Sequence, residues 1–153
     1  MSRFSGLLVV ALALVGCSGQ ASVGSGDEVT MPAAQPQLLI EFRDGEVCNE
    51  IRSASGEKVL EMSCGQIPDL SAPGSIIIQS GANLDGVTYE SFLSTDDVEV
   101  RAVDNSLVLR VDHGFLVWGP ASEGGPPFEI SALGETYRCV VINLSLSCAK
   151  PGT

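Results

Sequence analysis

Turn signals recur about every ten residues along most of the chain, a rhythm that leaves room for short strands and little for helices. They read Asp44-Gly45, Ser55-Gly56, Ala72-Pro73-Gly74, Asp85-Gly86, Asp104-Asn105, Asp112-His113-Gly114, Gly124-Gly125-Pro126-Pro127 and Leu133-Gly134. The runs between them are rich in Val, Ile, Leu and aromatic residues. They predict strands over 38–42, 46–53, 58–63, 75–79, 87–92, 98–103, 106–111, 115–118, 128–133, 136–142 and 144–149. Such spacing indicates an all-β fold, a small antiparallel β-sandwich or barrel of about 9–11 short strands.

Residues 98–118 carry the clearest pattern. Val98, Val100 and Ala102 alternate with Glu99 and Arg101, which hides one face and wets the other. Leu107, Leu109 and Val111 follow one tight turn and Phe115-Leu116-Val117-Trp118 a second, so a three-stranded meander is expected. Ser94-Thr95-Asp96-Asp97 offers a helix cap as an alternative, which the β-branched alternation after it opposes. Gly45-Glu46-Val47-Cys48 is echoed by Gly134-Glu135-Thr136-Tyr137-Arg138-Cys139, two similar hairpins rather than a repeat array.

The first residues obey a different rule. Arg3 precedes the unbroken apolar run Leu7-Leu8-Val9-Val10-Ala11-Leu12-Ala13-Leu14-Val15, and Gly16-Cys17 comes next. Nine helical residues span about 14 Å, roughly half a bilayer core, so the run has the layout of a signal peptide rather than a membrane span. Leu14-Val15-Gly16-Cys17 resembles the lipobox of bacterial lipoproteins. The resemblance covers only this end of the chain and implies that the Cys17 thiol receives a diacylglyceryl group and that the chain is cut before it. Ser18, rather than the Asp that marks inner-membrane retention in enteric bacteria, favours the outer membrane by analogy. Ser18 to Gly26 is small and polar, and Pro32 and Pro36 punctuate the next stretch, a composition suited to a tether. The expected organisation is a cleaved leader at 1–16, a lipidated cysteine and tether at 17–36, and a single β-rich domain at 37–153.

Lipidation of Cys17 leaves four of five cysteines, and an even number in an exported protein suggests disulfides. Cys48 and Cys64 flank Ser55-Gly56-Glu57 symmetrically, and Cys139 and Cys148 are equidistant from Asn143-Leu144. Hairpins centred there place each pair opposite one another, so of three connectivities the expected one is Cys48–Cys64 with Cys139–Cys148. Gaps this long are unlike structural zinc sites, and no Cys-x-x-Cys redox motif occurs.

The formal charge of −11 from 8 basic and 19 acidic residues opposes nucleic-acid binding, which requires clustered Lys and Arg. His113, the only histidine, lies in a turn, and no Gly-x-Ser-x-Gly elbow accompanies it. Asp96 and Asp97 are consecutive and read as a solvated loop. Asn83-Leu84-Asp85-Gly86 resembles the middle of a calcium loop, but Gly81 and Phe92 stand where its two terminal acids belong. No catalytic, cofactor or metal site is therefore expected, apart from a looser acidic loop at Asp85, or at Asp96 and Asp97. The segment between Trp118 and Phe128 is the longest irregular stretch late in the chain and the best binding loop, although Trp118 reads first as a core residue. The expected function is a non-catalytic binding or accessory module, anchored in the envelope by lipid, for an envelope protein, a glycan or an incoming protein. The acidic field favours basic partners. The alternatives are a small hydrolase using Asp85, Asp96, Asp97 or Asp112, and a purely structural envelope lipoprotein.

Overall fold

The computed structural model describes residues 34–152; the leader expected at 1–16, Cys17 and the expected tether through residue 33 lie outside the described residues. Eleven strands and no helix occur among those described: β1 (Gln37–Arg43), β2 (Glu46–Arg52), β3 (Val59–Gln66), β4 (Ile76–Leu84), β5 (Val87–Ser94), β6 (Glu99–Ala102), β7 (Leu107–Val111), β8 (Gly114–Pro120), β9 (Phe128–Ala132), β10 (Glu135–Ile142) and β11 (Ser145–Ala149). Each predicted strand is present. They form three antiparallel sheets in the orders β1-β2-β3, β4-β5-β8-β7 and β11-β10-β9-β6.

The sheet containing β5 and β8 lies between the other two. On β8, Phe115 and Val117 join a cluster with Phe128 and Ile130 of β9 and Cys139 and Val141 of β10. Leu116 and Trp118 turn the other way and meet Leu38 of β1 and Ile51 of β2. Successive side chains on a strand point to opposite faces, so four large apolar residues in a row need cover on both sides. Burial of each contributes on the order of 2–3 kcal/mol. The rings of Phe92, Phe115 and Phe128 form the centre of the first cluster, with Phe92 stacked on Phe115 at 4.6 Å and tilted against Phe128 at 5.1 Å.

Strand β4 serves both layers by another device. A register shift between Ile78 and Ser80 makes Gln79 an extra residue. Ile76 and Ile78 consequently pack in the first cluster, while Ala82 and Leu84 pack in the second. Without the bulge these even-numbered residues would share one face. Beside it, Asn49 Nδ2 donates to Ser80 Oγ at 2.7 Å and Ser91 Oγ at 2.5 Å, and the two hydroxyls lie 2.9 Å apart. This polar cluster is buried and joins β2 to the middle sheet.

Four hairpins close with two residues of positive φ: Asp44-Gly45, Asp85-Gly86, Leu133-Gly134 and Asn143-Leu144. Their mirror-image turns match the right-handed twist of the strands they join. The echo between the two cysteine regions comes from this shared device, since each follows such a turn. At Asn143-Leu144 neither residue is glycine, so the left-handed backbone is adopted against a steric preference.

The disulfides join Cys48 to Cys64 and Cys139 to Cys148, with Cα atoms 4.1 Å apart in each. Both are directly opposed partners in antiparallel ladders. The meander expected over 98–118 is only half formed. β7 pairs with β8, but β6 pairs with β9 in an outer sheet. The chain changes layer at the turn closed by Ser106 N on Val103 O at 3.0 Å. Val98 and Val100 thereby reach the Phe128 cluster, a gain that local pairing with β7 would not supply. Residues after Ser94 form a turn, with Val98 N bonded to Thr95 O, rather than a helix.

Loop closure over sixteen residues assigns the Cys48–Cys64 bond about 3 kcal/mol, and over nine residues about 2.6 kcal/mol to Cys139–Cys148. Replacing each pair by alanine should lower the urea-unfolding free energy by these amounts. A loss below about 1 kcal/mol for the first pair would show that the ladder alone holds that hairpin.

Candidate functional site

The connection between β8 and β9 runs from Ala121 to Pro127, and it does not expose its flanking aromatics. Trp118 and Phe128 are both buried in the core. The loop itself borders a groove of about 550 Å³, together with the outward face of β10 and β11 and the last described residues. Ser122, Gly124, Gly125 and Pro127 form one wall, Arg138, Val140, Ser147 and Ala149 come from the strands, and Lys150, Pro151 and Gly152 form the far side. The alternation of β10 sets this up: Cys139 and Val141 enter the core, so Arg138 and Val140 must face outward. The Cys139–Cys148 bond ties the two floor strands together directly beneath.

No acidic side chain lines this groove, while Arg138 and Lys150 do. In a chain of −11 formal charge that is a local inversion of sign. Acids hold the two cations from outside the lining. Arg138 pairs with Asp104 of the β6–β7 turn, and Lys150 Nζ lies 2.7 Å from Glu135 Oε1. Arg101, Glu129 and Arg138 occupy directly paired positions across β6, β9 and β10, a row of alternating charge that leads to the groove. Glu135 is held below the usual carboxylate range, first by its hydrogen bond with Lys150 and then by that with Tyr137.

Behind the loop wall lies a residue that no motif in the sequence singles out. Glu90 of β5 is 7% exposed, the one acidic side chain buried to this degree among the described residues. Its Oε2 has no hydrogen-bond partner. Gly81 and Gly125 make room for it: a Cβ on Gly81 would come within 2.7 Å of Oε2, and one on Gly125 within 3.3 Å of Oε1. Burial alone lifts this carboxyl to about 7 from its ordinary 4.5, because a charge there would lose its hydration with nothing to replace it. A signal is nonetheless present in the sequence, since Glu90 shares its strand parity with Phe92.

The other candidates do not converge. Asp85 lies in the turn before β5 and Asp96 and Asp97 in the turn after it, so the eight-residue strand separates them by roughly 27 Å. Asp112 and His113 form the β7–β8 turn, with His113 at φ 66° and its ring 5.3 Å from Phe42. All five are exposed or nearly so. Among the described residues no three His, Cys, Asp or Glu side chains gather as metal ligands. Asp85 borders a second cavity of about 400 Å³ with Tyr89 and Leu84. Burial first, and Asp85 second, raise the Tyr89 hydroxyl above its ordinary range. Cys48 and Cys64 lie on the outward face of β2 and β3, next to Met62.

No family model, no curated protein and no solved structure matches this chain.

Glu90 sets a pH dependence whose sign follows from its raised value. The folded chain keeps a proton that the unfolded chain releases, so the associated stability is present below about 4.5 and is lost as pH rises to about 7. The loss amounts to roughly 3 kcal/mol. Urea unfolding of Glu90→Gln should therefore gain on the native chain by about that amount between pH 4.5 and 8. Parallel profiles for the two would refute the buried, neutral carboxyl.

Proposed function

We propose that this protein is a non-catalytic binding module of a bacterial cell envelope. It is anchored through lipid on Cys17 and presents the groove beside β10 and β11 to an envelope partner or glycan. The observation that carries this reading is the groove's chemistry: two cations and no acid in a strongly acidic chain, on a floor pinned by a disulfide. Rigid strands with a loop wall are the usual support for recognition. The partner contributes an anionic or hydrogen-bonding group near Arg138, while the acidic remainder of the surface steers basic regions of the same partner. The lipobox resemblance at 14–17 supports the anchor, and Ser18 favours the outer membrane.

A carboxylate hydrolase is the second reading, favoured by one observation. Glu90 has the near-neutral value that suits a general acid. Against it stands the position of the carboxyl, which is enclosed behind Gly125.

Two experiments test the first reading, one for the groove and one for the anchor. A photo-crosslinking residue at Ser147 in living cells should trap one partner, and Arg138→Gln should remove most of that product, while a probe at Glu57 should not form it. Equal trapping at Glu57, or indifference to Arg138→Gln, sinks the groove assignment. Cys17→Ser should release the protein from membranes and abolish acyl labelling, and continued labelling would refute the anchor.

A further inference from the structure

The groove wall rests on Glu90, whose carboxyl is enclosed by two strands and one loop. Gly81 of β4 and Val117 of β8 flank Glu90 in register on the middle sheet. Both are paired in antiparallel ladders, Gly81 just beyond the bulge at Gln79, and cannot move without breaking that pairing. Gly125 closes the remaining side, and Val141 lies beyond it. Gly125 is buried and is held to β10 by its N–H donating to Val141 O at 2.9 Å. At the loop's other end, Ala121 N bonds to Gly86 O at 2.8 Å. The loop is therefore the one cover over the carboxyl, among the described residues, that is not part of a strand.

We propose that Glu90 is a proton-operated latch: protonated, it lets the 121–127 wall close on β10, and ionised, it opens that wall so that water reaches the carboxylate. A neutral carboxyl tolerates a dry enclosure far better than a carboxylate does. None of the groups that flank or cover Glu90 offsets a negative charge, since Gly81, Val117 and Gly125 are uncharged, as is Val141 beyond the loop. On its own strand, Tyr89 and Ser91 point to the opposite face. The orphaned Oε2 is the atom that gains most from opening. The near-neutral titration follows from burial alone, so the wall responds across ordinary environmental pH. Because Ser122, Gly124, Gly125 and Pro127 all line the groove, its shape differs between mildly acidic and mildly alkaline surroundings. The latch operates whether or not the groove holds a partner.

Amide hydrogen exchange of the detergent-solubilised full-length protein between pH 5.5 and 8.5, corrected for intrinsic rates, tests this directly. Protection over 121–127 should fall by up to about tenfold per pH unit as pH rises toward the Glu90 midpoint and level off above it, as expected when release of one proton drives opening. Peptides from β5 and β10 should keep their protection, and Glu90→Gln should keep the loop protected throughout. The same pH profile in Glu90→Gln, or equal loss in β5 and β10, overturns the latch. If that variant does not fold, carbon-13 titration of the native Glu90 carboxyl decides the matter: a midpoint in the ordinary carboxylate range overturns it, and one near neutrality tracking loop exchange supports it.

Discussion

The burial of β5 and β8 on both faces is the constraint on which the rest of the fold depends. Phe115, Leu116, Val117 and Trp118 present apolar surface in both directions, and a single partner sheet would leave half of it in water. Two covering sheets are therefore needed, and the chain supplies them from its two ends, β1–β3 on one side and β9–β11 with β6 on the other. The bulge at Gln79 and the layer change at residues 103–106 are consequences of this arrangement. Each redirects a segment so that its apolar residues reach a cluster that regular pairing would deny them.

The same stacking creates the candidate site. A covering sheet has an inner face committed to the core and an outer face free to carry chemistry. On β10 that division places Cys139 and Val141 inside and Arg138 and Val140 outside, where the 121–127 loop turns a sheet surface into a groove. Glu90 belongs to the middle sheet, so it has no outer face to occupy. Its parity with Phe92 commits it to the core, and the glycines at 81 and 125 make that burial sterically feasible. The candidate groove and the buried acid are thus two sides of one loop.

Legibility depends on the range of the interaction. The cysteine pairs are readable because hairpin symmetry about Gly56 and about Asn143-Leu144 is a local property. The alternation of Val98, Val100 and Ala102 foretells a strand, yet not its partner, because β9 lies far along the chain and competes successfully with the adjacent β7. The loop at 121–127 is recognisable by composition. Its groove is not, since Arg138, Ser147 and Lys150 meet it only after β10 and β11 have folded back. Glu90 shares the parity of Phe92, but a local reading does not use that signal, because which face of β5 is covered is known only once the opposite sheet is in place.

The sequence by itself determined the strands, the tight turns and the cysteine pairing, because each depends on residues within a hairpin's length and on backbone preferences that neighbours alone decide. It also carried the lipobox resemblance, which belongs to a linear motif. Only the tertiary structure decided which sheets face one another, which side of β10 becomes a surface, and that one carboxyl would be enclosed without a partner. Those outcomes depend on how apolar area on distant strands is shared between layers, and that sharing is settled by packing over the whole chain rather than by any local pattern.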